Sequence, residues 1–225
     1  MAYRRTEKTE RRLAEVRERI VSAAWAVVAE SGFEAASVSA VAERAGLSAG
    51  GIYRHFSSRG DLLTEVFERA SGHELGVLAS VAAPVAAPVA APVAAPVAAP
   101  VAASDGGVRE RLARVIATFA RRALDGRRLA YALIAEPVDP SVDAARLEYR
   151  RRYRDLFAGL VREGVAAGEL PPQNPELTGA ALVGAVAECL VGPLAPEHDH
   201  GDDESLIANV TKLALNVTGV TADVG

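Results

Sequence analysis

Among the 225 residues there is a single cysteine (Cys189), a single tryptophan and a single methionine, and aromatics make up only 5%. One cysteine cannot close an intramolecular disulfide, which excludes a disulfide-framed secreted scaffold and favours a reducing compartment. The opening residues, MAYRRTEKTERR, contain no apolar run, so no signal peptide is expected and a cytoplasmic location is. The one long uncharged stretch, Leu75 to Ser104, carries five prolines at four-residue intervals from Pro84 to Pro100. These remove too many backbone donors for a spanning helix, so no membrane partner is expected. Missing too are GxSxG, GxxxxGK[ST], HExxH and CxxC, the arrangements that would place a nucleophile, a phosphate cradle, a zinc site or a redox pair. An enzyme is therefore not expected, and neither is a cofactor or a metal.

What is present is a charge asymmetry inside a modest net charge of −4. Residues 1–60 carry 10 Lys/Arg against 7 Asp/Glu, and residues 61–225 carry 15 against 22. An indiscriminate polyanion binder would be basic throughout. A small basic head on an acidic body instead suits a nucleic-acid reader held off the duplex elsewhere.

Apolar residues recur at three- and four-residue steps with no period-2 alternation, so the chain reads as all-α. The first helix is expected from Arg11 to Ser31, with Leu13, Val16, Ile20, Ala23, Ala24, Val27 and Val28 as one stripe, Trp25 off it, and Gly32 as a left-handed cap. Ser37 and Ser48 are caps for two short helices, and Gly46 breaks the chain between them. A fourth helix opens at Ser58, where Ser58 to Asp61 has the spacing of a capping box, and reaches about Leu78.

The unit VAAP then repeats five times from Val81 to Pro100. Polyproline II-like extension is the physical default, reaching about 70 Å over residues 81–103, and the tract reads as a linker. Helices resume from Val108, near Arg127 to Ala135, and from Ser141 to Ala167. Two more are expected, from the cap at Asn174 to Val191 with a stop at Gly192-Pro193, and from Asp203 to Val217.

The segment from Ile20 to Phe56 has the anatomy of a helix-turn-helix. Ala42 is small where two helices cross closely, Gly46 sits where the turn needs positive φ, and Ile52 and Phe56 return to the core. The outward arc of the second short helix is then Gly50, Gly51 and Arg54, flanked by Tyr53 and His55. Its N-terminal turn is free to enter a major groove.

Over Arg17 to Phe67 these residues resemble the DNA-binding region of TetR-type (TetR/AcrR) transcriptional regulators. The resemblance rests on Ala29-Glu30-Ser31-Gly32-Phe33, on Val41 to Ser48 (VAERAGLS) and on Ile52 to Arg59 (IYRHFSSR). Gly168-Glu169-Leu170-Pro171 is also common in that family. The resemblance implies an N-terminal helix-turn-helix head (residues 1–70), the linker at 81–103, and an effector-binding and dimerisation body (104–218). It implies a repressor released from two-fold operator DNA by a small molecule, and a homodimer formed through the last two helices. Gly179, Ala180, Ala181, Gly184, Ala185 and Ala187 would allow close helix approach there.

By the same resemblance Tyr53, His55 and Arg59 meet phosphates, and Ser37 and Ser48 add hydroxyls. Ser39 and Arg54 face base edges, and Arg4 and Arg5 are a candidate minor-groove arm. Ala49 and Gly51 stand where many relatives carry Arg or Lys and Thr, so the recognition helix lacks that guanine-reading donor while its backbone can approach DNA closely. Ala40 stands where an acid is usual.

In the body Phe119, Tyr131, Tyr149, Tyr153 and Phe157 are the aromatic candidates for an effector pocket. Arg150, Arg151, Arg152 and Arg154 are either a grip for an anionic effector or the wet face of a helix. The run from His198 to Glu204 offers an alternative reading, a metal-binding sensor or enzyme, against the plainer one of a solvated acidic loop before a helix. Cys189, amid apolar residues, reads as a core thiol.

Overall fold

A computed structural model describes residues 7–84, 106–197 and 201–219. Arg4, Arg5, His198, Asp199, His200 and the repeat beyond Pro84 lie outside the described residues. Among those described, nine helices and no strands occur: α1 (Glu7–Ala35), α2 (Val38–Ala45), α3 (Ala49–Tyr53), α4 (Arg59–Ala82), α5 (Val108–Asp125), α6 (Arg127–Ile134), α7 (Pro140–Ala166), α8 (Pro175–Leu194) and α9 (Asp203–Val217). The all-α reading holds.

The packing units do not follow chain order. One comprises Met1–His73, Arg122–Arg150 and Leu190–His200; the other comprises Glu74–Arg121, Arg151–Cys189 and Gly201–Gly225. In the first, α1 packs on α2 and buries Ile20, Val21, Ala24 and Val28 fully; Val41 and Ala42 of α2, Ile52 of α3 and Leu62, Leu63 and Val66 of α4 are buried as well. Val21 lies beyond the expected stripe. Its burial follows from α1 being covered on a second side, because α6 also packs on it. Trp25 is half-buried.

Local chemistry sets the boundaries. α1 extends to Ala35, yet Gly32 breaks the helical path at φ 84°, ψ 178°: the φ is positive as expected of a cap there, while the ψ is extended and not left-handed helical. Ser37 Oγ accepts from Ala40 N and Ser48 Oγ from Gly51 N, and Gly46 closes α2 at φ 66°. Ser58 Oγ accepts from Asp61 N to start α4. That helix carries Val81 and Ala82, the first residues of the repeat, and stops two residues before Pro84, which disfavours helix at the residue preceding it.

In the second unit α5, α7, α8 and α9 enclose Leu112, Val115, Ile116, Val161, Leu182, Val186, Ile207 and Val210. Gly168 (φ 74°) ends α7, where Glu169 N and Leu170 N both donate to Gly164 O and Leu170 folds back over Gly164. Asn174 caps α8 as expected, its Oδ1 accepting from Leu177 N. The expected stop at Gly192-Pro193 is corrected: α8 continues to Leu194. A proline in the final turn removes only one ladder donor, while Leu190 and Leu194 are buried and Arg127 Nη1 donates to Pro193 O at 3.0 Å. By length and composition α8 is the one described helix that passes for a membrane span.

Candidate nucleic-acid interface

The turn from Ala45 to Ser48 places α3 with its first turn outward. Ala49 and Gly50 are exposed, Gly51 is half-exposed, and a methyl group added at Gly50 would meet nothing closer than Ser48 Oγ at 3.9 Å. Ile52 and Phe56 are buried beneath, as their spacing requires. Tyr53 projects with 55% of its surface exposed, and Arg54 and Ser39 are exposed beside it. Ser37 and Ser48 are exposed as well; each hydroxyl oxygen caps a helix and keeps its own O–H for donation outward. The structure thus gathers Ser37, Ser39, Ser48, Ala49, Gly51, Tyr53 and Arg54 on the α2–α3 segment with open surfaces.

His55 is half-buried at the edge of a depression of about 360 Å³ lined by Leu13, Ala14, Arg17, Arg54 and His55. Burial lowers the pKa of its imidazole below the usual 6.5, and the Arg17 and Arg54 charges push it the same way. The shift favours the neutral ring, a hydrogen-bonding group, over the cation.

Arg59, expected at a phosphate, is bonded within the fold. Its Nε donates to Ala36 O at 3.1 Å, Nη2 to Phe33 O, and Nη1 pairs with Asp139 Oδ2 at 2.8 Å. These contacts take up three of the five guanidinium N–H groups and fix the direction of the Arg59 side chain. Its backbone amide remains at the first turn of α4, where an anion is favoured. Arg17, which sequence reasoning passed over, is as deeply engaged: it donates to His55 O at 2.7 Å, pairs with Glu65 and covers the Phe56 ring at 4.1 Å. Nothing local in the sequence marks Arg17, since these partners are 38 and 48 residues away.

The five pocket candidates separate. Tyr131 and Tyr149 fall in the first unit, and Phe119, Tyr153 and Phe157 in the second. Tyr149 is buried, donates to Glu68 O at 2.9 Å and meets Phe67 edge-on, a core role. Phe119 and Tyr153 do pair, at 6.2 Å between ring centres, and Phe157 is buried. In the acidic run, Asp202 Oδ1 caps α9 through Ser205 N, and Glu204 pairs with Arg121. Among the described residues no three His, Cys, Asp or Glu side chains converge as a metal site would need. Cys189 is half-buried, more open than a core thiol.

Two family models match the sequence. One, bacterial regulatory proteins of the tetR family, covers residues 20–66. The other, the tetracyclin repressor-like C-terminal domain, covers residues 105–189. No curated protein sequence matches. Among solved structures, the transcriptional regulator FadR from Bacillus subtilis, in complex with stearoyl-CoA, superposes with a TM-score of 0.69 at 21% identity, over 91% of this chain and 99% of that one. A TetR/AcrR regulator from Thermobifida fusca gives 0.63 at 24% identity, over 89% and 96%. RolR in complex with resorcinol gives 0.66 at 18%, over 95% and 92%.

Proposed function

The chain belongs to the tetR family of DNA-binding bacterial regulatory proteins, and from that premise we propose that it represses transcription at a two-fold operator and is released by a small-molecule effector. The observation that carries this reading is the first turn of α3. Ala49, Gly50 and Gly51 leave the backbone bare and outward, capped by Ser48 and flanked by exposed Tyr53 and Arg54. A helix end of that shape fits a major groove, with Arg54 and Ser39 at base edges and Tyr53, His55, Ser37 and Ser48 at phosphates.

In this reading residues 1–70 read DNA, the repeat within 81–103 is a linker once α4 has ended at Ala82, and 104–218 hold the effector and the partner copy. The dimer forms through α8 and α9. Leu177 is 71% exposed and Leu213 45%, beside exposed Ala180, Ala181 and Gly184. A face of that character is what a second copy would cover, and it accounts for the apolarity of α8 without a membrane. FadR was solved with stearoyl-CoA and RolR with resorcinol. By that likeness a small molecule is proposed as the effector here, with Phe119, Tyr153 and Phe157 as candidate contacts.

The test is selection of duplexes from a random-sequence pool by the purified chain. The expected product is a pair of inverted half-sites about 34–36 Å apart, or a multiple of that spacing. Arg54→Ala should relax preference at particular positions, and Tyr53→Phe should weaken all sequences alike. Absence of salt-dependent DNA binding, or a single half-site bound by a monomer, would refute the reading.

A further inference from the structure

The corner between α1 and α2 is completed from outside the head. At Gly32 the backbone turns out of the helix, so the Phe33 N–H leaves the ladder while Phe33 itself is 1% exposed. A buried amide without an acceptor is strongly disfavoured. The acceptor is Glu136 Oε2 at 2.7 Å, 103 residues further along the chain and itself buried.

The other Glu136 oxygen meets Arg128 Nη2 at 2.9 Å, and the same nitrogen donates to Ser31 O at 2.6 Å. A Cβ at Gly32 would displace the ends of both side chains, and the positive φ there favours glycine in its own right. On the far side of the corner Arg59 takes Phe33 O and Ala36 O and is itself anchored to Asp139. Arg146 holds the frame in turn, donating to Leu133 O at 3.0 Å and Glu136 O at 2.8 Å. The backbone groups of residues 31–36 are thus gripped by side chains that belong to, or are tied to, residues 127–146.

We propose that Glu136 is a positioning residue for DNA reading: by accepting the Phe33 N–H it fixes the angle at which α2, and α3 behind it, leave α1. Simple stabilisation accounts poorly for the arrangement. A half-buried ion pair contributes little net stability, and here Arg128 Nη1 is also buried with no hydrogen-bond partner. What the pair does supply is one orientation of the Glu136 carboxylate. A tilt of a few degrees at the corner would displace the first turn of α3, where Ala49 to Gly51 offer no long side chain to bridge a gap.

This rests on the DNA-reading role proposed above, so the experiment uses the full chain and a duplex that the parent itself has selected from a random pool. Failure of the parent to select any duplex counts against that role, independently of Glu136. Two variants are compared with the parent by affinity for that duplex, far-ultraviolet circular dichroism, and hydrogen exchange at the Phe33 amide. Glu136→Ala removes the acceptor. Arg128→Met with Glu136→Gln keeps an acceptor and removes the ion pair. The expected result for Glu136→Ala is unchanged helix content, Phe33 exchange at least ten-fold faster and affinity at least ten-fold weaker. The double variant should stay within about three-fold of the parent in both. A folded Glu136→Ala chain that binds within three-fold overturns the proposal. Should Glu136→Ala lose its helix content, the double variant decides: folded and binding within three-fold supports the acceptor role, and folded but ten-fold weaker overturns it.

Discussion

The Arg17 guanidinium lies 4.1 Å above the centre of the Phe56 ring while its Nη1 donates to the carbonyl of His55. One side chain of α1 thereby covers the end of the recognition segment, and its pairing with Glu65 ties α4 to the same point. Arg17→Ala should cost about 1–2 kcal/mol from the lost cation–π contact and charge-assisted hydrogen bond. For a chain of this length that lowers Tm by roughly 2–8 °C. Calorimetry checks it; an unchanged midpoint would mean that the contact carries no stability.

Arg59 gives the opposite expectation from a phosphate ligand. Because its guanidinium serves Phe33 O, Ala36 O and Asp139, Arg59→Ala should lower Tm by several degrees and weaken operator binding with the salt dependence unchanged. Arg59→Lys should not restore stability, since one ammonium cannot span the fork. A salt slope shallower by about one unit, with Tm intact, would return Arg59 to the DNA backbone.

His55 has its folded-state value depressed below 6.5 by burial and by Arg17 and Arg54. The unfolded chain therefore binds the proton more readily than the folded one. Stability should be fully present above about pH 7.5, fall as the pH drops through 6.5, and level off below the folded-state value. His55→Gln should remove that contribution, visible as a smaller difference in Tm between pH 7.5 and pH 5.5.

Two glycines of α8 should separate folding from association. A methyl at Gly179 would sit 2.7 Å from Arg154 O and 3.0 Å from Ala158 N, both backbone atoms of α7. Gly179→Ala should destabilise by about 1–3 kcal/mol. A methyl at Gly184 would meet nothing within 4 Å outside its own helix backbone. Gly184→Leu should leave helix content intact and convert a dimer to monomers in sedimentation; a dimer that persists would place the interface elsewhere.

Arg111 is buried, donates to Ala82 O at 2.9 Å and pairs with Glu163 at 2.5 Å, so the end of α4 is held against the start of α5 regardless of what lies between. Removing two VAAP units should therefore shift Tm by no more than about 2 °C, since closure entropy changes by only about 0.6 kcal/mol per doubling of length. Operator affinity should stay within a few-fold. Arg111→Ala in the intact chain should lower Tm more than that deletion does. A midpoint drop of many degrees on shortening would make the repeat part of the folded structure.

Much of the head was legible in the sequence because its determinants are local. Ser37, Ser48 and Ser58 cap the helices that follow them, each bonding an amide three residues on, as Asn174 does in the body. Gly32 and Gly46 have the positive φ that their positions demanded, and Ile52 and Phe56 are buried where period 3.6 placed them. The open first turn of α3 follows from those same residues. Tertiary structure alone decided which way the long side chains turn. Arg59 and Tyr53 read alike as outward polar groups six residues apart, yet Tyr53 faces out and Arg59 turns inward, because two carbonyls of the α1–α2 corner and Asp139 from 80 residues away surround it. Glu136, an acid before a proline, gave no signal of its own. Its role depends on a buried amide 103 positions earlier, and a single side chain of two methylenes ending in a carboxylate leaves no periodicity that records so distant a partner.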